Sequence, residues 1–331
     1  MGHNTTLKKI SQILDISIST VSRALKNHPD ISDKTKLKVL ELANTLEYEP
    51  NANAINLRTN NNRVFGLIVP SVSYYFYDTF VSSIEEECRR NDYSLMILQS
   101  RDDIETELSN IKLCRHNRVS GVFACITPNT TDINSFLKLT ELDIPLIFFD
   151  KVPAYENCNK ICIADAQAAK MAANLIIQKQ KKNVLGLFGN KSLSITQKRF
   201  PAFTEIFQQP HITTKLETDQ ALSFEEAYEK TMVSLSTKNK PDTIFCMSDE
   251  ILAGVMKAIQ QLQIRLPQEI AVIALSNGII PKLYYPEITY VETSGYKLGK
   301  LAFTRMMACI SGSTFIQELT IESILVEGGS I

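Results

Sequence analysis

From Val64 onward the chain switches repeatedly between short apolar runs and amphipathic stretches, and this alternation restricts its fold more than any other feature. VFGLIV (64–69) is a continuous apolar run, the pattern of a strand covered on both faces. Residues 76–90 follow with Phe80, Ile84 and Cys88 at helical spacing. SLMIL (94–98), GVFACI (121–126), PLIFF (145–149), KICIA (160–164), NVLGLF (183–188), TIFCM (243–247) and IAVIAL (270–275) repeat the strand signal, with helical stretches at 104–117, 166–178 and 250–263. Parallel strands need crossover helices, so the alternation implies an α/β fold of doubly wound parallel sheets. About 270 residues of such units suggest two lobes.

The first fifty residues read differently, as a small all-α head. LKKISQIL (7–14) places Leu7, Ile10, Ile13 and Leu14 on one helix face, and SISTVSRAL (17–25) places Val21 and Leu25 four apart. Ser17 suits the N-cap of the second helix, whose first-turn N–H groups lack partners. Asp15-Ile16 is a tight connection between them. This is the pattern of a helix-turn-helix, whose second helix enters the major groove of DNA, although any small helical hairpin shares it. His28-Pro29-Asp30 breaks the second helix, and Ser32 is positioned to cap a third. There Leu37, Leu40, Ala43 (or Leu42) and Leu46 are expected to cover the first two helices, before Tyr48 and Pro50 end it. NANAINLRTNNN (51–62) reads either as a solvated linker or as a segment that orders only against a partner. The expected organisation is a head at 1–50, a hinge or linker at 51–62 and a core at 63–331.

Charge and composition narrow the function. The net charge is only −1, yet residues 1–63 carry nine Lys or Arg against six Asp or Glu. A basic module on a mildly acidic body fits a DNA-contacting head. No run of eighteen apolar residues occurs, and no apolar segment follows the first charges, so the reading is neither membrane-spanning nor secreted but cytoplasmic. The seven cysteines are scattered without a Cys-x-x-Cys pair, and none of the four histidines (His3, His28, His116, His211) stands beside an obvious nucleophile or ligand set. No G-x-G-x-x-G, Walker or G-x-S-x-G motif is present. Binding is therefore expected rather than catalysis, with no metal and no cofactor.

The succession SISTVSRALKNHPDIS, then EYEPNANAINLRT, resembles the lactose-repressor (LacI/GalR) family of bacterial transcription regulators over nearly all of residues 5–59. Asp15 departs from the glycine common there, at a slot suited to a left-handed residue, which Asp tolerates. The resemblance implies a three-helix head, a hinge helix and a periplasmic-binding-protein-like core whose chain crosses between lobes near 159, 291 and 319. It makes Ile18 and Ser19 base readers, and Thr20, Ser22 and Arg23 phosphate or base contacts. Thr6, Ser17, Asn27, Asn51, Ala54 and Arg58 complete the DNA-binding set. Leu57 matches the family's lever leucine, an apolar wedge in the minor groove.

Ligands of open α/β sheets sit beyond the carboxyl ends of the strands, and there the resemblance places an effector. Ser73, Tyr75, Phe76 and Tyr77 follow the first strand. Asp150 follows PLIFF, Asp249 lies in MSDE and Asn277 in IALSNG. Arg199, in QKRFPAF, matches the arginine that grips the effector, and Asp165 lies in a segment where Ala166 replaces a usual asparagine. The implied protein is a homodimeric repressor of a near-palindromic operator, joined through helices at 78–90 and 104–117. A sugar or sugar derivative in the cleft is expected to control it, as inducer or corepressor. The alternatives are a small-molecule binding protein without DNA function and a sugar-processing enzyme.

Overall fold

The computed structural model describes residues 6–48 and 62–331, in two units spanning 1–61 and 62–331. The first unit contains α1 (Leu7–Leu14), α2 (Ile18–Leu25) and α3 (Asp33–Thr45). Each opens on a hydroxyl cap: Thr6, Ser17 and Ser32 accept from the backbone N–H of Lys9, Thr20 and Thr35. Asp15 ends α1 in the left-handed region, at φ 50° and ψ 47°, which turns the chain sharply into α2.

Ile10, Val21, Ala24, Val39 and Ala43 form the core of this unit. One expectation shifts here. On α3, Leu37 and Leu40 are 61% and 45% exposed, while Val39 and Ala43 face inward. At about 100° per residue, Val39 and Ala43 stack on one ridge while Leu37 points away from it. The surface offered by two eight-residue helices accepts that narrower ridge better than a leucine face. Ile13 is likewise more than half exposed.

In the second unit the chain runs through β1 (Val64–Val69), α4 (Tyr75–Arg90), β2 (Ser94–Gln99), α5 (Ile104–His116), β3 (Gly121–Ala124), α6 (Asn134–Thr140), β4 (Leu146–Phe149) and β5 (Asn159–Ile163). Next come α7 (Asp165–Gln178), β6 (Asn183–Phe188), α8 (Ser194–Phe207), β7 (Lys215–Gln220), α9 (Phe224–Leu235), β8 (Thr243–Cys246), α10 (Asp249–Gln261) and β9 (Ala271–Ser276). β10 (Thr289–Glu292), α11 (Gly295–Ile310), β11 (Glu318–Ile321) and β12 (Leu325–Val326) complete it.

Two six-stranded sheets result, ordered β11-β5-β4-β3-β1-β2 and β12-β10-β9-β8-β6-β7. Every pairing is parallel except β10 with β12. α4 and α11 bury Phe80, Ile84, Leu298 and Phe303 against the first sheet. α5 and α6 supply Ile111, Cys114, Phe136 and Leu139 to a separate cluster on that sheet. In the second lobe, α7 presents Ala168, Ala169, Ala172 and Ala173, all fully buried, and such small side chains let it lie close against α8.

The chain passes between lobes at 164, at 293–294 and at 322–324, later than the expected 159, 291 and 319. The first difference moves a whole element. A crossing near 159 would place KICIA in the second lobe, yet β5 pairs with β4 (Phe149 opposite Ile161) and with β11 (Ile161 opposite Leu319) in the first sheet. An apolar run marks a buried strand but does not say which sheet buries it.

Candidate nucleic-acid interface and ligand cleft

α2 carries its polar side chains outward. Ile18 is 47% exposed. Ser17, Ser19 and Arg23 are exposed, and Thr20 and Ser22 are half-buried. The Ser17 hydroxyl serves the cap and lies 2.7 Å from Ser19 Oγ and 2.8 Å from Thr20 Oγ1, so it orients the first turn. Arg23 reaches Asp30 only at 3.9 Å, with both side chains more than half exposed. Such a pair contributes about 0–1 kcal/mol, so the guanidinium can leave it for a phosphate or a base. Asn27 lies just beyond α2 at φ 53°, and Thr6 sits at the N-terminus of α1, where backbone N–H groups favour anions. Asn51, Ala54, Leu57 and Arg58 lie outside the described residues.

The second unit holds a cavity of about 570 Å³ beyond the carboxyl ends of the strands. Phe76 and Tyr77 enter it from the first turn of α4, Asp150 and Lys151 from just after β4, Arg199 from α8, Met247 from just after β8 and Asp249 from the start of α10. Phe76 and Tyr77 meet edge to face with centroids 5.4 Å apart, and beneath them Phe80 stacks on Phe149 at 3.9 Å. The aromatic wall is therefore fixed by the core of the first lobe.

The charged groups of the cleft are held by partners. The Tyr77 hydroxyl donates to Asp150 Oδ2 at 2.5 Å. Burial, with Asp150 alongside, lifts the Tyr77 pKa well above that of a free phenol, so the hydroxyl stays a donor. Asp150 itself has φ 57°, a conformation a non-glycine residue adopts at a cost. Burial opposes the charge of Lys151, but its neighbours, the buried Cys125 thiol and the Asp102 and Asp150 carboxylates, outweigh that and raise its pKa. Arg199 donates through Nε to Asp165 Oδ1 at 2.7 Å and through a terminal nitrogen to the Met247 carbonyl at 3.1 Å. Burial raises the Asp165 pKa, and the Arg199 guanidinium offsets part of that. Asp249 accepts from the Asn277 backbone N–H at 3.0 Å and from the Ser276 hydroxyl. Burial outweighs both bonds and pushes its carboxyl up to about 6.

Of the residues expected at the effector, the cavity brings together Phe76, Tyr77, Asp150, Arg199 and Asp249. Ser73, Tyr75 and Asn277 do not line it. The Ser73 hydroxyl turns back to Ser71 at 2.7 Å. Tyr75 points outward at the first position of α4, 39% exposed. Asn277 spends both ends of its amide elsewhere, donating to the Tyr75 carbonyl at 2.5 Å and accepting from Ile279 N. Sequence reasoning missed Tyr74, Ser223, Phe224 and Glu250, which do line the cavity. Ser223 and Phe224 follow β7, whose residues KLETDQ lie at a half-exposed sheet edge, so no apolar run announced the strand or the loop after it.

The described cysteines are all free, and burial raises the thiol pKa of Cys88, Cys114, Cys125, Cys158, Cys162 and Cys246, which suits packing rather than nucleophilic work. Among the described residues no cluster of His, Cys, Asp or Glu is placed to hold a metal ion, and no helix is long and apolar enough to cross a membrane.

Residues 6–51 match the family described as bacterial regulatory proteins, lacI family, and residues 177–331 match a periplasmic binding protein-like domain. The NTD biosynthesis operon regulator NtdR of Bacillus subtilis (strain 168) is 25% identical over 320 residues, 96% of either chain. The HTH-type transcriptional repressor PurR of Vibrio vulnificus (strain CMCP6) is 25% identical over 300 residues, 90% of either chain. A crystal structure of the Lac repressor dimer bound to operator and the anti-inducer ONPF superposes with a TM-score of 0.87, covering 98% of each chain at 19% identity, a likeness of fold. With its capped three-helix head, its two parallel-sheet lobes and these matches at both ends, the chain belongs to the lacI family of bacterial regulatory proteins: it is a DNA-binding regulator of transcription and not an enzyme.

Proposed function

We propose that the protein represses transcription as a homodimer in the bacterial cytoplasm, and that a polyhydroxylated small molecule, a sugar or sugar derivative, sets its affinity for a near-palindromic operator. The observation that carries the ligand class is the cleft itself. An aromatic wall of Phe76 and Tyr77 faces the carboxylates Asp150 and Asp249 and the Arg199 guanidinium around one 570 Å³ cavity. A ring's apolar face stacks on such a wall, while carboxylates accept from hydroxyls and arginine donates to them in a fork. In the reading of the head, Ile18, Ser19 and Arg23 select bases, the first by apolar contact with a group such as a thymine methyl. Thr6, Ser17, Thr20, Ser22 and Asn27 position the backbone, and Asn51, Ala54, Leu57 and Arg58 engage the operator centre. For the dimer, α4 and α5 flank the edge strand β2, and Ile97 and Leu113 are exposed there.

The test is operator binding by fluorescence anisotropy, using sites selected by the full-length protein from random DNA, with and without a panel of neutral sugars. A selected palindrome, a steep salt dependence and a shift of affinity by at least one sugar are expected. Equal affinity for selected and random DNA would remove the regulator reading. An operator affinity that no sugar moves would remove the ligand class alone.

A further inference from the structure

A second cavity, of about 730 Å³, opens on the other side of Pro128, Lys151 and Leu193, which face both spaces. None of Phe76, Tyr77, Asp150, Arg199 or Asp249 lines it. Three lysines do, Lys151, Lys160 and Lys198, against the carboxylates of Glu318 and Asp132, so its lining carries a net positive charge.

Lys160 is the most telling of them. Its side chain is only 8% exposed, and its nearest carboxylate oxygen, Glu318 Oε2, is 4.0 Å away, beyond hydrogen-bond reach. A buried ammonium normally carries close, hydrogen-bonded counter-charge, because desolvation costs several kcal/mol, on the order of what a good ion pair returns. Glu318 is shared as well: its other oxygen takes Lys198 Nζ at 3.0 Å. The two ammonium groups thus divide one carboxylate, with Lys160 the less satisfied. The remaining polar lining is hydroxyl and amide, including Thr127, Thr130, Asn134, Ser192 and Gln197. These groups suit a hydroxylated molecule, and the volume is that of small-molecule sites generally.

We propose that this cavity binds a small hydroxylated anion, a sugar phosphate or a sugar acid, whose charged group sits between Lys160 and Lys198. The position has a mechanical consequence. Glu318 belongs to β11 in the first sheet and Lys198 to α8 in the second lobe, so their ion pair ties the lobes together. An anion that takes over Lys198 releases Glu318 and replaces that tie with its own. The cavity is thus a second input to lobe closure, separate from the main cleft and selective for charge.

Isothermal titration of the full-length protein with glucose-6-phosphate, gluconate, glucose and inorganic phosphate tests this. Saturable binding of glucose-6-phosphate or of gluconate is expected, and the arm that binds tells a phosphoryl from a carboxylate ligand. Lys160→Met and Lys198→Gln should each weaken that binding by about tenfold or more, while Asp249→Asn leaves it within about twofold. Lys198 is half-exposed, so its variant keeps the test valid where Lys160→Met fails to fold. Binding of neither anion, binding that survives Lys198→Gln, binding lost in Asp249→Asn, or inorganic phosphate binding as tightly as both hydroxylated anions would overturn the proposal.

Discussion

Folding makes the Asp249 carboxyl harder to ionise. It is buried at the start of α10, and its pKa rises to about 6 although two hydrogen bonds favour the anion. The linkage sign follows. The folded state holds this proton more tightly than the unfolded chain, so the residue costs nothing below the unfolded pKa near the ordinary 3.8. Its cost grows as pH rises through the window up to about 6 and is complete above it, on the order of 3 kcal/mol. Sugar hydroxyls donate best to the ionised form. Ligand affinity should therefore climb as pH rises through about 6 and level off, and Asp249→Asn should flatten the profile; calorimetry across that window checks both. Arg199 carries a different liability. Arg199→Ala strands the Asp165 carboxylate, which is nearly fully buried, at a cost of about 3–5 kcal/mol. Adding Asp165→Asn should return much of that stability in thermal melting while the response of operator binding to ligand stays absent. A double variant that still responds would take Arg199 out of the site.

Among the elements, α3 shows what periodicity does and does not fix. The helix and its Ser32 cap were legible in SDKTKLKVLELANT because capping is local chemistry. Its buried face was legible only in part, at Ala43, Leu42 and Leu46, because three leucines and a Val–Ala pair within the helix offer competing ridges and only the partner surface decides between them. Val39→Ala should therefore cost the head about 1–2 kcal/mol, while Leu37→Ala, at a residue 61% exposed, should cost less than about 0.5 kcal/mol. Hydrogen exchange of the α2 and α3 amides in the full-length protein distinguishes them, and equal effects would show that the leucine face packs after all. α4 and α11 raise a similar point at the cleft. A Cβ on Gly295 would lie 2.3 Å from the Phe76 carbonyl, so Gly295→Ala must move the first turn of α4, which carries Phe76 and Tyr77. Weakened ligand binding is the expected result, together with a loss of about 1–3 kcal/mol in thermal melting. Nothing in the sequence around Gly295 marked that contact, since it joins residues more than two hundred positions apart.

At the scale of the whole core, the doubly wound lobes and the cluster of strand-end carboxylates were readable because a parallel sheet puts its ligand groups at predictable strand ends. The contacts that join the lobes were not readable, because they link residues far apart in sequence: beside the Lys198–Glu318 ion pair, side chain to backbone bonds cross between them. Ser194 Oγ accepts from Val152 N at 3.0 Å, the Ser192 hydroxyl donates to the Pro128 carbonyl at 3.2 Å, and Asn277 donates to the Tyr75 carbonyl at 2.5 Å. Asn277, expected from the resemblance to touch the effector, thus stands one step away from the cavity. Since it does not line the cavity and the variant keeps the backbone N–H that holds Asp249, Asn277→Ala should change ligand affinity mainly through closure. Removing one such bond is worth about 1 kcal/mol, so ligand should bind more weakly, by up to about fivefold, because the population shifts toward the open form. Coupling between two sites is reciprocal. If ligand favours the closed core, Asn277→Ala must move the ligand-free operator affinity in the direction opposite to the ligand's own effect, whichever that is. Titrating operator and ligand against wild type and variant gives both legs. A variant that binds ligand normally, or that shifts operator affinity in the same direction as the ligand, would show that the clasp at Asn277 is no part of the switch.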